Sequence, residues 1–277
     1  MNETVCCPVK AGEPLPGRKP KAPSRQATRR RQEIWLSILS PMALLLLWEV
    51  AGRFKMMDLR YFPMPSVIAV SFWDLLFGGY LWPDFKASII RIVLGFLLGS
   101  VPGLVLGVAM GLWRPLRFAI NPLIYATYPI PKIAILPLVI LIFGLGEMSK
   151  VFVVAIGAFY LVLLNTMTGV VCIDRIYFDV CKNLRTSRRD LYLRVVLPAA
   201  LPAMMTGLKL ALGVSLLLIV AAEMLGAQHG IGHMIWDSWQ TFSVPRMYVG
   251  LIIISALGYI LSVVADHIER EILPWRD

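Results

Sequence analysis

The sequence predicts an all-α integral membrane protein of six spans, and three observations carry that prediction. Of its 277 residues, 58% are hydrophobic and only 16% charged, where a soluble protein carries about a quarter charged residues. The apolar residues fall in six long runs separated by short polar stretches. The basic residues alternate between the connections: eight in the first 33 residues and six between Asp174 and Met204, against three between Arg53 and Phe85 and none between Gly226 and Val244. Such a bias marks the cytoplasmic loops, and it predicts that both termini are cytoplasmic. The net charge of +10 follows from this placement. No patch of interleaved basic and aromatic residues accompanies it, so nucleic acid is not expected as a partner.

Taken in order, residues 1–33 are rich in Pro, Lys and Arg without apolar periodicity and read as a disordered cytoplasmic tail. Arg29, Arg30 and Arg31 fit a positive-inside anchor. No small-residue cleavage site follows the first apolar run, which argues against a signal peptide. The remainder, residues 34–277, is expected to form one membrane domain. Ile34–Gly52 is the first span, with Pro41 a kink site and Glu49 near its outer end. Arg53–Phe85 lies outside, and within it Ser66–Phe77 suits a helix resting on the membrane surface. Ala87–Trp113 is the second span. Its Gly95, Gly99, Gly103, Gly107 and Gly111 recur every fourth residue, a ridge that lets another helix approach closely; a substrate groove is the weaker reading. Arg91 is expected near the outer end or paired.

Arg114 and Arg117 mark a short cytoplasmic loop. The third span, Tyr125–Gly146, is interrupted by Pro129, Pro131 and Pro137. Backbone groups freed by proline are tolerated at membrane depth only where protein or a cavity satisfies them, so Tyr128, Pro129 and Pro131 are candidates for a translocation path. Lys132, early in this span, is expected to snorkel to the cytoplasmic interface. The turn Gly144–Lys150 lacks the spacing of a phosphate loop, and no Gly-Lys pair occurs anywhere, so the chain is not its own P-loop ATPase. Val151–Ile173 is the fourth span, Thr206–Leu225 the fifth, Gly226–Val244 an outer connection and Arg246–Asp266 the sixth span. Glu223, a carboxylate close to membrane depth, is a functional candidate by default, either on the translocation path or bonded to neighbouring backbone.

No Ser-His-Asp, Cys-His or paired-carboxylate arrangement appears, so no catalytic residues are expected. His229, His233 and His267 are too scattered for a metal site, and Cys6, Cys7, Cys172 and Cys181 show no ligand or disulfide spacing.

The stretch Asp174–Met204, DRIYFDVCKNLRTSRRDLYLRVVLPAALPAM, is far longer than a connection between spans requires. Its first half has helical periodicity, with Tyr177, Val180, Cys181 and Leu184 on one side. Ser187 and Asp190 read as a capping box that opens a second short helix, Arg188–Val196, and Leu197-Pro198 and Leu201-Pro202 read as a double stop. Two short helices outside the membrane make a docking surface.

This stretch resembles the EAA loop of ABC-importer permeases: Glu-Ala-Ala, three residues, Gly, nine residues, Ile-x-Leu-Pro. Asp179, Val180 and Cys181 fall on Glu-Ala-Ala, Arg185 on the Gly, and Val195–Pro198 on the last element. Asp, Cys and Arg replace Glu, the second Ala and the Gly. A non-glycine residue in a left-handed turn costs about 1–2 kcal/mol. Either Arg185 bears that strain or the turn differs here. IPKIAILPLVILIFG with the following turn is similar to permeases of the nitrate, sulfonate and taurine group.

The resemblance implies a type I importer permease fold with cytoplasmic coupling helices, in the bacterial inner membrane. It implies a homodimer of this chain, separate cytoplasmic ABC ATPase subunits that bind ATP and Mg, and an extracytoplasmic solute-binding protein. The chain itself would hold no cofactor and would pass a small solute such as a sulfonate, nitrate, taurine or bicarbonate through a lipid-embedded shell. Coupling to the ATPase would fall to Asp179, Val180, Cys181, Leu184, Arg185, Ser187, Leu191 and Pro198. A stand-alone secondary transporter or channel is the alternative, and it would need ion-coupling carboxylates at mid-span.

Overall fold

A computed structural model describes residues 39–274; the expected basic tail and the start of the first span lie outside them. Among the described residues every regular element is a helix, and the chain divides into two compact units, with the boundary after Ala69.

In the first unit, α1 (39–53) leads through an irregular connection to the start of α2 (Pro65–Phe77). Glu49 ties the two together. Its carboxylate accepts the Ser66 amide at 3.1 Å, the Ser66 hydroxyl at 3.0 Å and Arg53 Nε at 3.0 Å. Free amides and a partial positive charge at a helix start explain why a carboxylate is stabilised there. Glu49 is therefore a cap on α2.

The second unit holds α3 (Leu81–Leu112), α4 (Arg114–Thr127), a 3-10 turn (Lys132–Ile135), α5 (Leu136–Phe143) and α6 (Glu147–Val171). It continues with α7 (Arg175–Asn183), α8 (Arg188–Gly226), α9 (Ile231–Gln240) and α10 (Val244–Ile272). Among the described residues, α3, α6, α8 and α10 are each long and apolar enough to cross a membrane, and the bent pair α4–α5 supplies a fifth crossing if taken as one span.

The glycine ridge packs α3 onto α6. A methyl group at Gly95 would meet Val154 at 2.7 Å, at Gly107 Thr166 at 2.7 Å and at Gly111 Val170 at 2.5 Å. At Gly99 it would lie 2.1 Å from the Ala155 carbonyl oxygen. Close helix packing is thus what the repeat builds here. Around it Ile92, Val153, Val154, Leu218, Ile219 and Leu257 form a core that joins α3, α6, α8 and α10.

Three elements depart from the sequence expectation. The loop expected at Arg114 and Arg117 is helical: Trp113 is extended, and Pro115 at the first turn restarts the helix as α4. The third span is not one rod, because α4 and the segment Lys132–Phe143 meet at 83°. Pro129 and Pro131 occupy the break, whereas Pro137 opens α5. Finally, no stop separates the second short helix from the fifth span. Arg188–Gly226 is unbroken, with a π-helical turn at Leu191–Val196 ahead of Pro198, and Pro202 inside the helix. The π turn shifts the bonding register just where Pro198 has no N–H to give, so the chain continues as helix.

Candidate coupling surface and buried charged cluster

α7 begins at Asp174, whose carboxylate accepts the Ile176 amide at 3.0 Å. At its other end the Thr186 amide donates to the Cys181 carbonyl at 3.0 Å and the Arg185 amide to Lys182 at 3.1 Å. These two bonds define a Schellman stop, whose turning residue must be left-handed. That residue is Arg185, at φ +52°. Arg185 therefore bears the strain. Arg185→Gly is expected to stabilise the end of α7 by about 0.5–1 kcal/mol, the strain relieved less the added freedom of the unfolded chain. Slower hydrogen exchange of the Arg185 and Thr186 amides would check it.

The stop leaves Ile176, Tyr177, Val180 and Leu184 exposed, Leu184 at 74%. Asp179 is exposed beside them and Cys181 is half-buried. Ile176 was not legible as part of this face, and the inward contact is made by Phe178, which packs with Leu191 against Val170, Val196, Ala200 and Met204. Of the predicted coupling residues, Leu191 and Pro198 are half-buried, and Leu191 packs in the cluster behind the surface. Ser187 caps α8: its hydroxyl accepts the Asp190 amide at 3.2 Å and donates to the Asp190 carboxylate at 2.6 Å.

Tyr128, Pro129 and Pro131 lie together, exposed, in the break of the bent span. The Lys132 side chain folds back onto this break. Its ammonium donates at 3.0 Å to each of the Thr127, Tyr128 and Ile130 carbonyls and lies 4.3 Å from the Tyr160 ring centre. A break containing two prolines leaves carbonyls without helical partners, and a three-donor cation on a flexible stem replaces those partners. Beside it opens a cavity of about 410 Å³ with largely apolar walls, among them Leu98, Ile130, Phe152, Ile156 and Phe159.

Glu223 is elsewhere. Its side chain is fully buried near the end of α8. It accepts the Ser88 hydroxyl at 2.8 Å, Arg91 Nη1 at 2.8 Å and the Gly232 amide at 3.0 Å. The carboxylate thus faces protein on every side in this conformation. Arg91 also donates to the His229 carbonyl at 2.6 Å and grips Glu147 through Nη2 at 2.6 Å and through Nε. Asp84 accepts the Gly230 amide at 2.9 Å, and Ser88 the Ile231 amide at 2.9 Å. Lys150, also buried, donates to the Leu145 and Gly146 carbonyls at 2.9 and 3.1 Å. Gly230, at φ +140°, is required twice over, because a β-carbon there would sit 2.4 Å from the Glu223 carboxyl carbon. Charges of both signs, each hydrogen-bonded, satisfy the condition for keeping ionised groups out of water. The sequence singled out Glu223 and expected Arg91 to be paired; Ser88, Asp84 and Glu147 carried no local signal.

Apolar crossings, one of them broken, together with a short exposed helix leading into a very long one, are the architecture of a multi-pass membrane protein. The chain belongs to the family of binding-protein-dependent transport system inner membrane components, whose model matches residues 103–274. It is thus a permease of the ABC-importer class. It is 32% identical, over 97% of its length and 98% of theirs, to the aliphatic sulfonates transport permease protein SsuC of Bacillus subtilis. It is 28% identical to the taurine transport system permease protein TauC of Escherichia coli, over 88% of this chain and 90% of that one. With the nitrate import permease protein NrtB of Leptolyngbya laminosa it shares 32% identity over 76% and 78% of the two chains. An inward-facing structure of the MetNI methionine ABC transporter shares the fold, with a TM-score of 0.61 at 18% identity, covering 70% of this chain and 98% of that one. The family implies an ATPase partner and a substrate-binding protein.

Proposed function

We propose that this chain passes a small anion, of the sulfonate, taurine, nitrate or bicarbonate kind, across the inner membrane as a homodimer driven by ABC ATPase subunits docked on α7 and the first turns of α8. ATP and Mg bind those subunits, and a solute-binding protein delivers the cargo from the opposite side. Both termini and the Asp174–Met204 stretch then face the cytoplasm. The solute class is supported by the names of the relatives. The path runs along the broken span, where Tyr128, Pro129 and Pro131 are exposed beside the cavity, and Glu223 holds structure in place instead of lining it.

The observation that carries the docking reading is the apolar face of α7, with Ile176, Tyr177, Val180 and Leu184 exposed on a helix capped at both ends. Such a face outside the membrane is stabilised by a partner's groove. Leu184→Asp places a carboxylate in that groove. An unpaired charge buried there costs about 3 kcal/mol, about a hundredfold in affinity. The variant is expected to fold with an unchanged melting temperature while losing co-purification with the ATPase and ATP-driven uptake of labelled taurine or nitrate. Survival of both assembly and uptake would sink the docking assignment.

A further inference from the structure

One guanidinium joins three parts of the chain that are far apart in sequence. We propose that Arg91 is a positioning residue that links the far end of α8 to the turn between α5 and α6, so that a displacement entering at α7 reaches the broken span. The proposal rests on the reading that α7 docks the ATPase.

The mechanical route is continuous. Phe178 of α7 packs against Val196 and Ala200 of α8, so a push on α7 is a push on the start of α8. From Arg188, α8 runs unbroken to Gly226, about 58 Å at 1.5 Å per residue. Glu223 sits three residues before its end, and its bonds to Ser88, Arg91 and Gly232 are closed to water. A buried charged contact of this kind is either made or broken; it has no loose intermediate, which is what a transmitting contact requires.

Arg91 then carries the link onward. One edge of its planar fork holds Glu223 and the His229 carbonyl, and the other holds both oxygens of Glu147. A fork engaged on two edges transmits orientation as well as position. Glu147 opens α6, and Lys150 one turn later holds the Leu145 and Gly146 carbonyls. The turn therefore moves with the start of α6, and through Gly144, at φ +75°, it leads directly into α5, one limb of the broken span.

Glu147 separates this idea from simple charge balance. Arg91 already has a fully buried counter-ion in Glu223, whereas the Glu147 side chain is 65% exposed. Burial alone gives no reason for the second carboxylate; a tie to the turn does.

The test uses the full chain assembled with its ATPase in proteoliposomes, with the four native cysteines replaced and Leu145→Cys introduced in the turn. The readout is the rate of labelling by a membrane-impermeant maleimide with and without ATP. The parent is expected to change its labelling rate at least about fivefold with ATP, the low end for two coupled sites. Glu147→Ala should remove most of that change while assembly and ATP hydrolysis persist. Arg91→Lys, which keeps the charge and loses the fork, should weaken the response in the same direction. A nucleotide response retained in Glu147→Ala, absent in the parent, or lost together with assembly in Glu147→Ala overturns the proposal. Failure of the chain with its native cysteines to co-purify with the ATPase overturns the docking reading itself, and it is seen before any labelling.

Discussion

Replacing Arg91 with alanine is expected to cost the folded chain about 3–5 kcal/mol, the penalty for leaving a buried charge without its partner. Glu223 would keep the Ser88 hydroxyl and the Gly232 amide, but two neutral donors do not offset a full charge held out of water. The His229 carbonyl would also lose the Arg91 guanidinium as a donor, loosening the connection between α8 and α9. Thermal unfolding of the detergent-purified protein should show a large drop in Tm. Adding Glu223→Gln to Arg91→Ala should recover part of it, because the orphaned charge is then gone. If the double variant is no more stable than Arg91→Ala alone, the loss has another origin, such as the space left by the guanidinium.

The second large effect is expected at Gly99. A β-carbon there meets the Ala155 carbonyl oxygen at 2.1 Å and the Ala155 Cα at 3.0 Å. Both atoms belong to backbone inside α6, so no rotamer change relieves the contact and the helices must part. Overpacking in a close-packed interior costs about 1–3 kcal/mol, and Gly99→Val should reach the upper end. Gly213→Ala, on α8, is the contrast, because its new methyl meets no atom within 4 Å. Unfolding by heat or denaturant in detergent should rank the two clearly. Equal losses would mean that the ridge is not limited by backbone contact.

These two sites were legible to different degrees. The ridge shows in the sequence because its glycines recur at the spacing of one helix face. Its partner does not, since the facing positions on α6 (Val154, Thr166 and Val170) are ordinary residues for any apolar helix. Glu223 stood out by its charge, but Arg91 lies 132 residues earlier, and no local pattern joins them. The prolines of the third span announced a break without giving the 83° bend. Lys132 fills that bend by bonding to carbonyls, and carbonyls leave no mark in a sequence. The repeated Leu-Pro pairs read as stops because proline ends helices, yet the π turn before them lets the helix run on. At α7 the periodicity gave Tyr177, Val180 and Leu184, whereas the choice between Ile176 outward and Phe178 inward was settled by the cluster beneath.

The π turn over Leu191–Val196 has a consequence for chain length. Each residue advances an α-helix by about 100°, so removing one residue there to restore ordinary winding would rotate everything upstream about the axis by roughly that angle. Ser187 and the helix before it would then point to a different quarter of the compass, although no side chain in them had changed. The spacing between Ser187 and Pro198 is therefore a clocking constraint: sequence can vary within it, but the number of residues cannot.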